Sequence, residues 1–153
     1  MPLLVSFDDS IAKGAFGAIL LGTTRHIIGE QLGAPTDTSL PGRKRSTQIW
    51  KYGNSEFYFE DDVLMMIHCY GNDLFDGGST LQVTSASFQT GMPVQQAKTI
   101  LDSLRIRYTD VSSSNSPEYD IRLTTGYQLG FVVDADAGLG SIGLRSWTLR
   151  RSG

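Results

Sequence analysis

A chain that spells one helix-then-hairpin pattern twice has few ways to fold, and this one does so at a spacing of 91 − 22 = 69 residues, from Gly22 to Gly91. The stretch Gly22 to Gly33 reads as a short helix with Thr23 or Thr24 able to cap it, Ile27, Ile28 and Leu32 on one face, and Gly33 and Pro35 ending it. Gly91 to Leu104 repeats the pattern, with Thr90 as a possible cap, Pro93 in the first turn and an apolar stripe of Val94, Ala97, Ile100, Leu101 and Leu104. The same offset carries Trp50 onto Tyr119, each opening a segment of period two. A repeat at this scale constrains architecture before any residue has a role.

The first hairpin runs from Ile49 to Phe59 around Gly53-Asn54, and the second from Tyr119 to Val133 around Thr124-Thr125-Gly126. Each is followed by an acidic turn, Glu60-Asp61-Asp62 or Asp134 to Gly138, and a third strand, Val63 to Tyr70 or Gly140 to Leu149. Residues 3 to 7 and 16 to 21 are expected as short strands or edges, with Asp8, Asp9 and Ser10 turning between them. The sequence therefore predicts an α+β protein of two tandem helix-plus-antiparallel-meander units, with helices on one sheet face. The expected division is 1–72 and 81–153, joined by a Gly- and Asp-rich linker at 73–80. Halves of this size are marginal alone, so they are expected to pack closely and share a core.

Composition narrows the function. With 40% hydrophobic and 19% charged residues the chain is globular rather than disordered. A net charge of −3 supplies no basic field for nucleic acid or anionic lipid. A single cysteine, Cys69, leaves no internal disulfide and no multi-cysteine zinc site, and the apolar stretch 15–21 is too short to cross a bilayer. The expectation is a cytoplasmic protein without cofactor or metal.

The short motifs in the chain have structural explanations. Gly138 to Gly143 spells GxGxxG, yet only ten residues follow it and no βαβ unit can form. Asp134-Ala135-Asp136 opens like a calcium loop, but its twelfth position is Arg145 where a bidentate Glu is needed. The basic run Arg43-Lys44-Arg45 sits in an acidic chain and reads as solvated loop charge. His68 and Cys69 are adjacent in a strand, so their side chains point to opposite faces.

Strand alternation is more informative. Burying Phe57 and Phe59 turns Glu56, Tyr58 and Glu60 outward, and burying Ile121, Leu129, Phe131, Ile142 and Leu144 turns Arg122, Gln128, Arg145 and Trp147 outward. Tyr, Trp and Arg dominate binding energetics at protein interfaces, so Tyr58, Arg122, Arg145 and Trp147 are the expected partner-binding residues.

The run Gly22-Thr23-Thr24, Leu32-Gly33-Ala34-Pro35, Trp50-Lys51-Tyr52, Phe57-Tyr58-Phe59 and Leu64 resembles the SmpA/OmlA/BamE group, and is similar to the β-lactamase inhibitory protein family, which carries such a unit twice. The second half matches at Gly91-Met92 and its helix but lacks Gly-x-Pro and the Trp. The resemblance implies a concave sheet face that binds another protein. Departures are the missing lipobox cysteine and the missing disulfides. The Trp-x-Tyr-Gly and Glu-Phe-x-Phe segment also resembles immunity proteins of contact-dependent toxin systems, which implies a non-enzymatic inhibitor acting by occlusion. Two alternatives remain at this level: a small hydrolase or ligand-binding enzyme using His68 with Glu60, Asp61 and Asp62, and a structural homodimer.

Overall fold

The computed structural model describes residues 2–39, 47–111, 118–133 and 143–150. The basic run at 43–45, the loop at 112–117, the acidic turn at 134–138 and Ile142 lie outside the described residues.

Eight strands form one antiparallel sheet. The first group comprises β2 (Asp37–Ser39), β3 (Thr47–Tyr52), β4 (Ser55–Glu60) and β5 (Val63–Tyr70). The second comprises β8 (Tyr108–Asp110), β9 (Glu118–Leu123), β10 (Tyr127–Val132) and β11 (Gly143–Arg150). Their spatial order is β2-β3-β4-β5-β11-β10-β9-β8, so each group's last strand sits at the centre. A smaller sheet, β1 (Leu3–Ser6), β7 (Leu81–Thr84) and β6 (Asp76–Gly77), pairs β1 parallel to β7. The segment expected as a linker thus holds a strand, and its Leu74 is fully buried.

The helices are α1 (Phe7–Lys13), α2 (Arg25–Leu32) and α3 (Val94–Ser103). The turn expected around Asp8 and Asp9 is instead the first turn of α1. Ser6 caps it by accepting from the Asp9 N–H, and both carboxylates favour the helix N-terminus. Residues 16–21 do not form a strand and make only a Phe16–Ile19 bridge.

All three helices contact the same face of the large sheet. Phe7 of α1 packs edge-on against Tyr127 and tilted against Trp147, Gly29 of α2 lies over the Trp50 ring, and Lys98 of α3 donates to the Tyr119 hydroxyl at 3.0 Å. Ile28, Leu32, Ala97 and Leu101 point inward, whereas Ile27 and Leu104, expected in the same stripes, are exposed. One hydrophobic core gathers residues from both strand groups and from the small sheet.

Two details of the central strands control which side chains face the core. Leu64 pairs with Phe59 but Met66 with Tyr58, so Met65 is an extra residue in β5; Leu144 pairs with Phe131 but Ser146 with Gly130, so Arg145 is an extra residue in β11. Such bulges reset strand alternation. Just before each, a chain segment docks in the same way: Gly22 donates to the Leu64 carbonyl and Leu64 to that of Thr23, while Gly91 donates to the Leu144 carbonyl and Leu144 to that of Met92.

Candidate functional site

The bulge at Arg145 corrects the sequence expectation for Trp147. Counting by twos from a buried Leu144 sends Trp147 outward; the inserted residue turns it inward, where it is 0% exposed and its Nε1 donates to the Leu74 carbonyl at 2.7 Å. Trp147 belongs to the core and cannot touch a partner. The other three expected residues remain on the face away from the helices. Tyr58 is half-buried on β4, Arg122 is exposed on β9, and Arg145 bends back to donate to the Asn72 side chain at 3.1 Å and the Gly71 carbonyl at 3.4 Å.

That face is organised in transverse rows. One row runs in register through the eight described strands of the large sheet, from Asp37 through Lys51, Glu56, His68, Thr148, Gln128 and Arg122 to Thr109. All eight side chains are polar. Seven inter-strand spacings of about 4.8 Å make the row ~34 Å long. The neighbouring row, Ser39, Ile49, Tyr58, Met66 and Arg150, has an apolar and aromatic middle formed by Ile49, Tyr58 and Met66. Tyr58 and Arg122 lie four strands apart, about 20 Å, a separation that suits a protein surface better than a small ligand.

His68 sits at the middle of the polar row. Its Nδ1 lies 2.8 Å from the Thr148 hydroxyl oxygen. Burial lowers its pKa; cross-strand Glu56 opposes that, nearby Arg150 reinforces it, and a hydrogen bond with the Trp147 backbone opposes it. The imidazole is therefore held neutral at neutral pH. Tyr58 is pushed the other way, its pKa raised by burial and then by the Glu56 carboxylate.

The structure does not bring His68 to Glu60, Asp61 and Asp62. Those residues close the β4–β5 hairpin about 15 Å along the strand from the imidazole. Asp61 and Asp62 have φ of 50° and 66°, the left-handed geometry of a two-residue hairpin turn, and Asp62 forms an ion pair with Arg25 of α2 at 2.7 Å. The acidic triplet makes a turn and ties it to a helix. Cys69 faces the core, and burial pushes its thiol up to about 12, which makes it a poor nucleophile.

The open face also holds a depression that alternation did not reveal. It measures about 250 Å³ and is lined by His68, Tyr70, Asp120, Gln128, Ser146 and Thr148 among others, Gly130 included. A Cβ on Gly130 would run into Ser146 Oγ, so glycine is what lets the Ser146 hydroxyl and the Asp120 carboxylate close in over β10 beside the depression. The signal was the lone Gly130 inside a strand pattern, which marks close approach.

Among the described residues no group of three or more His, Cys, Asp and Glu could hold a metal ion, and no helix is long and apolar enough to cross a membrane. Searches against protein-family models, curated proteins and solved structures return no match to this chain.

Proposed function

We infer that this chain is a non-enzymatic protein-binding module of the inhibitory, immunity type, working in the cytoplasm by occlusion: its open sheet face covers a partner protein and excludes that partner's substrate. The observation that carries this reading is the polar row through Glu56, His68, Thr148, Gln128 and Arg122, which spans eight strands on the face opposite the helices. A face ~34 Å wide can supply the roughly 800 Å² per partner of a standard interface. Tyr58 and Arg122 are the residues expected to contribute most, with Arg145 at the rim.

In this reading the sheet is two tandem units joined back to back. Support comes from the mirrored strand order about β5 and β11, the bulge in each, and the matched docking of Gly22-Thr23 and Gly91-Met92. The resemblance to the β-lactamase inhibitory protein family points the same way.

Affinity capture from source cells tests the proposal, comparing the wild-type chain with a Tyr58→Ala/Arg122→Glu variant of unchanged circular dichroism. The expected result is a stoichiometric partner retained by the wild type and lost by the variant. Equal retention by both would refute the open face as the binding surface, and a concentration-dependent dimer in sedimentation with no captured partner would establish the homodimer instead.

A further inference from the structure

The depression at Gly130 has the dimensions and chemistry of a socket for one side chain. At about 250 Å³ it falls below the roughly 300–1,000 Å³ of small-molecule sites, and it opens onto the surface assigned above to a partner. Two features shape its edge: Gly130 lets Ser146 and Asp120 close in, and the bulge at Arg145 offsets β11 against β10.

Charge decides the occupant. The cationic side of the socket is already engaged, because Arg145 donates to Asn72 and Gly71, and His68 is neutral and bonded to Thr148. Asp120 is different. Its half-buried carboxylate accepts from the Gln128 amide at 3.3 Å, and no cation pairs with it among the described residues. Its other oxygen lies 3.1 Å from the place a Gly130 Cβ would occupy and Ser146 Oγ lies closer still to the same point, so the glycine brings carboxylate and hydroxyl together at the edge of the depression. Tyr70, 58% exposed, lines the socket and offers a ring face. Carboxylate, amide and hydroxyl acceptors beside an aromatic ring are what a guanidinium binds, through charge-assisted hydrogen bonds and stacking.

We propose that the pocket formed by Asp120, Gln128, Gly130, Ser146 and Tyr70 receives an arginine side chain presented by the partner protein. This rests on the open face being the binding surface, and it specifies what the partner must carry: an arginine projecting from a surface that fits a shallow sheet. The pocket acts as a register pin, fixing where along the 34 Å row the partner sits, since a buried bidentate pair tolerates little displacement.

The test needs no partner. Amide chemical shifts of the isotopically labelled full chain are followed during titration with N-acetyl-arginine-amide, against N-acetyl-lysine-amide and N-acetyl-glutamine-amide at matched ionic strength. The expected result is saturable shifts confined to Asp120, Gln128, Gly130, Ser146 and their neighbours, with a midpoint on the order of 1–10 mM for arginine. Lysine should bind several-fold more weakly, and glutamine should produce no saturable shift. Asp120→Asn, nearly isosteric and still able to accept from Gln128, should raise the arginine midpoint about tenfold; Gly130→Ala, whose Cβ displaces the Ser146 hydroxyl, should do the same while leaving Asp120 charged. Equal shifts with glutamine, an absence of saturable shifts, or an unchanged midpoint in Asp120→Asn would overturn the socket. Loss of the captured partner in the Tyr58→Ala/Arg122→Glu variant with none of these arginine shifts would leave the open-face reading standing and remove only the socket.

Discussion

Strands β5 and β11 lie side by side at the centre of the large sheet, alike toward the core and unlike toward solvent. Inward, each places a leucine, a bulge and a buried anchor in the same order: Leu64, Met65 and Ile67 in one, Leu144, Arg145 and Trp147 in the other. Outward, β5 and β4 offer Met66, Tyr58 and Glu56, an apolar patch with an acidic edge, whereas β11, β10 and β9 offer Ser146, Gln128 and Asp120 around a hollow and Arg122 in the polar row. The inward face is constrained by close packing around shared neighbours, so any change of volume is felt. The outward face carries no such constraint and is free to differ, which is where a binding surface acquires specificity.

The anchors give the largest test of that contrast. Trp147→Ala removes the largest fully buried side chain among the described residues and orphans the Leu74 carbonyl, so urea denaturation should show a loss of about 3–5 kcal/mol. Ile67→Ala should cost about 2–4 kcal/mol. A Trp147→Ala loss below about 1 kcal/mol would mean that the indole is not seated as described.

The residues preceding the two leucines differ. Gly143 has φ of 109° and a Cβ there would overlap the Gly91 carbonyl, while its counterpart is Val63. Gly143→Val should therefore destabilise by about 2 kcal/mol or more, whereas Val63→Gly should cost only about 1 kcal/mol. Equal losses in thermal melts would show that the two docking sites are interchangeable.

On the outward face, stability and binding should separate. Tyr58→Ala and Arg122→Glu should each change unfolding free energy by less than about 1 kcal/mol, yet each should weaken a captured partner at least about tenfold by calorimetry. Equal effects on folding and on affinity would erase the distinction between the faces.

The smallest effect concerns acid. The His68 pKa is depressed in the folded state, so the unfolded chain binds the proton more readily once pH drops below about 6.5. The folded state loses stability as pH falls below that value and is unaffected above it. His68→Gln should lose less stability than the wild type between pH 7 and pH 5, with no difference between them in the pH dependence from 7 to 8, read from urea midpoints.

The sequence made local pairings legible. Both hairpins, the strand 63–70 and the bodies of α2 and α3 follow from alternation, turn residues and helical spacing, because each is closed by contacts a few residues apart. What it concealed depends on distant partners. β1 is a strand because β7 lies beside it, and the edge strands β2 and β8 are short segments whose pairing supplies what their sequences do not. Helix α1 is too short for its periodicity to stand out. Of the candidate site, Tyr58 and Arg122 were readable because no bulge precedes them on their strands, whereas Trp147 was misplaced by the one inserted residue at Arg145. Asp120 went unnoticed because its place in the socket depends on the missing side chain of Gly130, across the strand pair.

The parallel pairing of β1 with β7 has a consequence for synthesis. Leu3 meets Leu81, so the first strand emerges 81 − 3 = 78 residues before its mate. At about 5–20 residues per second a nascent chain carries it unpaired for roughly 4–16 s. Phe7, which packs against Tyr127 and Trp147, waits longer still. An apolar strand and its neighbouring phenylalanine are thus made early and held without their mates until residues 81 to 147 leave the ribosome.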